Sequence, residues 1–218
     1  MAEQLNVLLV CTISLSKTDK DFKMAYIPTV QFSNEDGQDK QMNLFNKLYE
    51  DRIILLHEQV MPESMSTITA QLMFLNAQDS QAPIHLYISS PGGSVMDGFA
   101  IIDTMNLIEA PVYTYTMGLA ASMGALIFLC GSKRYMLPNA ELMLHQPLGG
   151  VQGQATDIEI TANRILKMKK KINHMISDKC NMGFDEIQQM IDRDRYFDAE
   201  ESVEKGLADE IITTIKFV

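Results

Sequence analysis

The sequence predicts an α/β fold, with parallel strands alternating with helices. Two observations carry this reading. Two successive stretches, Ile84 to Ile108 and Val112 to Leu129, each run strand, tight turn, helix. Strands joined through a helix come out parallel. Each stretch also sets glycine where the strand ends, Pro91-Gly92-Gly93 in the first and Gly118 in the second. Ligands of α/β folds bind outside such strand ends.

Composition sets the bounds. A chain of 218 residues, 46% of them hydrophobic, can close one domain over a sizeable core. The formal net charge of -10 disfavours nucleic acid and anionic membrane as partners. No apolar run reaches the length of a membrane-spanning helix. Cys11, Cys130 and Cys180 are an odd, sparse set without a CxxC pair, so neither a disulfide framework nor structural zinc is expected. That usage fits a cytoplasmic protein or one of an organelle interior. There is no phosphate-binding glycine motif, and no metal or organic cofactor is expected.

The elements follow in order. Asn6 to Leu15 is largely apolar, but Glu3 precedes it and the charged stretch Lys17 to Lys23 follows, which argues against an export signal. Gln31 to Gln41 is polar, and Asn34-Glu35-Asp36-Gly37 signals a turn in a surface loop. Met42 to Glu50 reads as a short helix and Ile53 to Leu56 as a buried strand. Pro62 to Ala77 reads as a helix, with an early-turn proline and Met65, Ile68, Leu72 and Leu75 at helical spacing. Ile84, Leu86 and Ile88 alternate with His85 and Tyr87 as a strand, and Val95 to Ile108 is helical. Val112 to Met117 is β-branched and aromatic, so a strand is expected to end at Gly118, with a helix over Ala120 to Leu129. Arg134 to Leu137 and Leu142 to His145 are short strands. Ala155 to Asp178 is a long helical pattern with Ile158, Ile165, Ile172 and Ile176 on one face. Asp185 to Asp192 reads as a short helix. Asp198 is a plausible N-cap for Ala199 to Lys205, with Glu201 at the capping-box position and Gly206 suited to the end. Leu207 to Ile215 returns to strand composition.

The chemistry concentrates between Tyr115 and Gly150. Ser122 follows the Gly118 turn among small residues and falls in the expected first helical turn, where backbone N–H groups lack intrahelical partners. That setting suits a hydroxyl that loses its proton and a carbonyl oxygen that becomes an oxyanion. His145 ends a strand and Pro147 stops it. A serine and a histidine so placed can act as nucleophile and base, and a carboxylate is then wanted to orient the histidine. Asp192-Arg193-Asp194-Arg195 supplies two candidates. Two apart on an extended segment they point the same way, so spacing does not choose between Asp192 and Asp194. Taken singly, each feature has a commoner meaning: a close-packing serine, a satisfied structural histidine, a solvated charge run. His57 and His174 read as structural or surface residues, and most of the sixteen methionines as core or subunit interface.

Together these stretches resemble a known family. Ser90-Pro91-Gly92-Gly93, Gly118-Leu119-Ala120-Ala121-Ser122-Met123-Gly124, Leu137-Pro138-Asn139, His145-Gln146-Pro147-Leu148-Gly149-Gly150 and Asp192-Arg193-Asp194-Arg195 occur in the order of the proteolytic subunit of the Clp protease, the ClpP family. The resemblance runs from about Tyr26 to Ile212. It implies a fold shared with the crotonases, a repeated β-β-α spiral with a projecting strand–helix handle made by Ala155 to Asp178 and the strand before it. It implies a serine endopeptidase with Ser122 as nucleophile, His145 as general base and Asp194 as orienting carboxylate, and an oxyanion hole of the Gly93 and Met123 N–H groups. It further implies stacked heptameric rings around a chamber, and an AAA+ Clp ATPase that unfolds protein substrates and uses the ATP. Asp192 and Arg193 are then expected in ion pairs between subunits, and the surface around His85 and Tyr87 in the docking cleft for the ATPase. Three departures stand out: Ser89 replaces a frequent Asn, His85 a frequent aromatic, and the segment between Ser122 and His145 is slightly shorter than in some members, around Gly131-Ser132-Lys133.

The resemblance also divides the chain. Residues 1–23 form an N-terminal extension, read as a propeptide with a mature start near Met24 to Ile27 ahead of two other readings, an N-terminal arm or a start codon placed upstream of a true start at Met24, and residues 24–218 form a single peptidase domain whose first segment lines an axial pore. Two rival readings are a ring subunit of little activity that needs a paralogue, and an acyl-CoA enzyme of the crotonase type. Dependence on Ser122 separates the latter from a peptidase.

Overall fold

The computed structural model describes residues 28–33 and 39–214. The expected propeptide, its cleavage region and the turn Asn34 to Gly37 lie outside these residues. The chain divides between Ile53 and Ile54 into two compact units. In the first, β1 (Thr29–Ser33) and β2 (Asp39–Asn43) pair antiparallel, so strands replace both ends of the loop expected over Gln31 to Gln41. Helix α1 (Leu44–Glu50) follows, and the Asn43 carboxamide oxygen accepts from the Asn46 N–H at 2.8 Å as its cap.

The second unit holds the mixed α/β architecture. Its elements are β3 (Ile53–Leu56), α2 (Pro62–Gln78), β4 (Ile84–Ser90), α3 (Val95–Leu107), β5 (Val112–Ala121), α4 (Met123–Leu129), β6 (Lys133–Met136), β7 (Glu141–Leu144), α5 (Ala155–Ser177), α6 (Phe184–Met190), β8 (Arg195–Phe197), α7 (Ala199–Glu204) and β9 (Glu210–Ile211). The sheet order is β3-β4-β5-β6-β9, and β7 joins β5 and β8 off this path. β4, β5, β6 and β9 pair parallel, as the strand–helix repeats require.

The long strand β5 differs from the expectation that Gly118 would end it. Residues Tyr113 to Thr116 pair with β6, and Leu119 to Ala121 pair with β7. Gly118, at φ 69°, adopts the left-handed conformation between the two halves. Against β4 the register slips at the same place: Ile88 faces Thr116, yet Ser90 faces Ala120. The glycine therefore forms a bulge that redirects the strand to a second partner. Helix α4 starts later than expected, with Ser122 before its first turn. All seven of its residues, Met-Gly-Ala-Leu-Ile-Phe-Leu, are buried, as an all-apolar helix must be.

The core gathers around α4. Leu72 and Leu75 of α2, Ile84, Leu86 and Ile88 of β4, Ile101 and Ile102 of α3 and Phe128 of α4 are almost wholly buried. Helix α5 behaves otherwise. Only Ile172, Asn173 and Ile176, near its end, are buried, while Ile158, Ile160 and Leu166 are exposed. Of the strand expected over Leu207 to Ile215, the described residues form β9 alone, where Glu210 and Ile211 pair with β6. Asp198 caps α7 as expected, its carboxylate accepting from the Glu201 N–H at 2.8 Å, and Gly206 follows at φ 71°.

Arg134 ties the later elements to the sheet. Its guanidinium pairs with Asp209 and donates to the Lys179 carbonyl at 2.6 Å and the Gly206 carbonyl at 2.8 Å. Burial pushes the Asp209 carboxyl up, but the hydrogen bonds and charge of Arg134, with the charge of Lys133, outweigh it and hold that carboxyl below its ordinary value. A depressed carboxyl stabilises the fold above the ordinary carboxylate pKa, and that contribution is lost as pH falls through the folded value. Arg134→Met should lower stability at pH 7 by about 2 kcal/mol, because two carbonyls also lose their donor. Urea melts at pH 7 and in acid should show the gap between variant and parent narrowing as Asp209 is protonated.

Candidate active site

The site lies beyond the ends of β4, β5 and β7. The chain must turn sharply from β5 into α4, and Ser122 takes up the turn at φ 51° and ψ -118°. Such a conformation costs a non-glycine residue on the order of 1–3 kcal/mol. Its N–H is anchored to the Met143 carbonyl of β7 at 2.8 Å, and its own carbonyl accepts from the Leu126 N–H at 3.1 Å. A strained strand-to-helix turn of this kind lifts a hydroxyl clear of the backbone.

The register of β7 and β8 brings the other two groups together. These strands pair antiparallel, with Leu142 opposite Phe197, Met143 opposite Tyr196 and Leu144 opposite Arg195. The next pair in that register is His145 and Asp194, just past the last paired residues. Residues directly opposite in an antiparallel ladder project to the same face. The Asp194 Oδ1 stands 3.2 Å from His145 Nδ1, and His145 Nε2 stands 2.8 Å from Ser122 Oγ. With the imidazole proton on Nδ1, facing the carboxylate, Nε2 accepts from the serine hydroxyl. The histidine side chain is 14% exposed, whereas that of Asp194 is 62% exposed. This arrangement can take a proton from Ser122 and stabilise the resulting imidazolium.

The structure separates the two aspartates. Asp192 does not approach the histidine as Asp194 does. Its carboxylate accepts from Gln146 Nε2 at 3.3 Å and lies 3.9 Å from Lys169 Nζ. Within the chain Asp192 thus has Lys169 as a cationic neighbour. Gln146 is the centre of this cluster. Its N–H donates to the Ile191 carbonyl at 2.8 Å, its side-chain amide to the Asp192 carbonyl at 2.9 Å, and its Oε1 accepts from Lys169 Nζ at 2.7 Å. An ammonium only donates, so Lys169 fixes which end of the amide faces Asp192. Gln146 braces the segment after β7 against the one before β8, and so holds His145 and Asp194 in register. Nothing in the sequence marked Lys169, which sits among similar lysines on α5.

The glycine turn after β4 completes the site. Gly92 and Gly93 have φ 90° and 147°, a region that side-chain-bearing residues rarely enter. A Cβ on Gly92 would stand 2.6 Å from Ser122 Cβ and 2.7 Å from the Ala121 carbonyl oxygen. The turn therefore lies directly against the serine. Met123 is the first residue of α4, so its N–H has no acceptor within the helix. Gly93 follows Gly92 in this turn, and Met123 follows Ser122 in the chain. His85 lies apart from this site: its Nδ1 is 2.8 Å from the Tyr115 hydroxyl, within a stack of Tyr87, Tyr115 and Tyr135 across β4, β5 and β6. Among the described residues no group of three or more His, Cys, Asp or Glu could hold a metal ion.

Gly92→Ala should abolish the reactivity of Ser122 towards a fluorophosphonate, by at least about a hundredfold, since the new methyl displaces both the turn and the serine. Gly150→Ala, where a Cβ meets nothing within 4 Å, should label within twofold of the parent. Labelling rates on the two purified variants check this.

The family model described as Clp protease matches residues 35–215. That span contains both glycine turns, Ser122, His145 and the segment up to Asp194. It covers far more than half of the 218 residues, and the parallel sheet with its helices accords with it. The chain therefore belongs to the Clp protease family and is a peptidase of the ClpP type.

Proposed function

We propose that the chain cuts peptide bonds by an acyl-enzyme route as the proteolytic subunit of an ATP-dependent Clp complex. The observation that carries this is the unbroken contact from Asp194 through His145 to Ser122, with a glycine turn packed against the serine. Ser122 attacks the substrate carbonyl while His145 takes its proton. The tetrahedral oxyanion is held by the N–H groups of Gly93 and Met123. His145 passes the proton to the leaving amine, and water then releases the acyl group by the same steps in reverse. Asp194 keeps the imidazole in the tautomer that can accept from Ser122.

The rest of the proposal concerns assembly. A self-associating ring with an enclosed chamber protects other proteins from such a site, and an AAA+ partner then supplies unfolded substrate at the cost of ATP. Exposed apolar side chains on α5, Ile158, Ile160 and Leu166, support burial of this helix against another subunit. The surface around His85 and Tyr87 is the proposed docking cleft for the ATPase. No helix among the described residues is long and apolar enough to cross a membrane.

Fluorophosphonate labelling of the purified protein tests the reading. The parent should take one label per chain, and Ser122→Ala none. Asp194→Asn should lower kcat on a peptide substrate by roughly a thousandfold or more, because the imidazole loses its orienting acceptor. Asp192→Asn should lose far less. Intact mass on the same sample reports whether residues 1–23 are removed. An assembled ring that neither labels nor cleaves peptide overturns the proposal.

A further inference from the structure

The turn that carries the Gly93 N–H has no side chains of its own to hold it, since Gly92 and Gly93 contribute none. It is held from outside. Ser90, the last residue of β4, is 1% exposed, and its hydroxyl donates to the Glu58 carbonyl at 2.6 Å. The same oxygen accepts from the Gly92 N–H at 3.2 Å. The Val60 N–H donates to the Gly92 carbonyl, and the Ser94 N–H to the Val60 carbonyl, both at 2.8 Å. Ser64 secures that loop in turn: its hydroxyl accepts from the Met61 N–H at 3.0 Å and lies 3.1 Å from the Gln59 carbonyl. Among the described residues these bonds engage the N–H groups of Gly92 and Ser94 and leave that of Gly93, between them, unengaged.

Ser90 also reaches the other side of the site. A Cβ on Gly124 would stand 3.0 Å from Ser90 Cβ and 3.2 Å from its carbonyl oxygen. Ser90 is therefore packed against the first turn of α4, one residue from Met123. Ser90 thus touches both the Gly92–Gly93 turn and the start of α4.

We propose that Ser90 is a positioning residue for the hydrolytic reaction: its buried hydroxyl, bridging the Glu58 carbonyl and the Gly92 N–H, fixes the aim of the Gly93 N–H at the developing oxyanion. The proposal rests on the peptidase reading given above. A hydroxyl that only fills a polar gap in the core would affect folding and leave the chemistry of the folded protein intact. One that aims an oxyanion donor acts on the transition state and barely on the ground state.

The test uses the full assembled protein with Ser90→Ala and Ser90→Cys. Two probes separate the states: a peptide boronate, whose tetrahedral adduct on Ser122 places an oxygen at the oxyanion position, and a reduced-amide peptide of the same sequence, which lacks the carbonyl at the scissile position. Ser90→Ala should lower kcat roughly 10- to 100-fold with KM within about twofold. Its boronate affinity should fall by the same factor as kcat, and its affinity for the reduced peptide should stay unchanged. Ser90→Cys keeps a weak donor and acceptor at the same place, so it should fall between, and it carries the test should Ser90→Ala fail to fold. A folded variant with kcat and boronate affinity within twofold of the parent overturns the proposal alone. Equal loss of both probes also overturns it, as that is general damage. A parent that binds no boronate overturns the peptidase reading and this proposal with it.

Discussion

The sharp turn at Ser122 is the constraint on which the site depends. Strand β5 must leave the sheet and become α4 within one residue, and only an unfavourable backbone conformation allows it. The surroundings maintain that conformation. Met143 holds the Ser122 N–H, the wholly buried α4 holds the other side, and Gly92 lies so close that any side chain there would collide with the serine. Burial of seven consecutive apolar residues offers several kcal/mol, more than enough to offset strain on the order of 1–3 kcal/mol. Strain at the serine is thus maintained by packing in the core beneath it.

A second constraint is the register of β7 against β8. These strands are short, yet their pairing decides which aspartate faces His145. Slipping the register by one residue would turn every side chain of β8 to the other face. Phe197, fully buried opposite Leu142, makes such a slip costly, because it would expose a large aromatic ring. Gln146 and Lys169 add polar cross-links just outside the ladder. The exposed Asp194 carboxylate needs this help, as little else surrounds it. Lys169 comes from α5, whose buried residues, Ile172, Asn173 and Ile176, all lie nearer its end.

Much of this was legible in the sequence. The alternation of strand and helix, the strand Ile53 to Leu56, the proline-started helix at Pro62 and the cap at Asp198 follow local rules of propensity, periodicity and hydrogen bonding. So did the placing of His145 at a strand end and of Ser122 near a helix start, though Ser122 stands just before the first turn of α4 and not within it. The misreadings have a common cause. Gly118 reads locally as a strand stop, but the bulge it forms depends on β6 and β7, which come later in the chain. Likewise the choice between Asp192 and Asp194 was open from spacing and needed the pairing of β7 with β8. The hydroxyl of Ser90 and the amine of Lys169 carry no local signal at all, since their meaning lies in partners 32 and 23 positions away.

The most direct test of this account is to trap the intermediate it requires. The assembled protein would be mixed with an activated acyl ester, quenched in acid within milliseconds, digested and mapped by mass. The account predicts a single acyl group on the peptide containing Ser122, absent when His145 is replaced by alanine. Turnover of the ester with no acylated chain, or an acyl group on another residue, would contradict it.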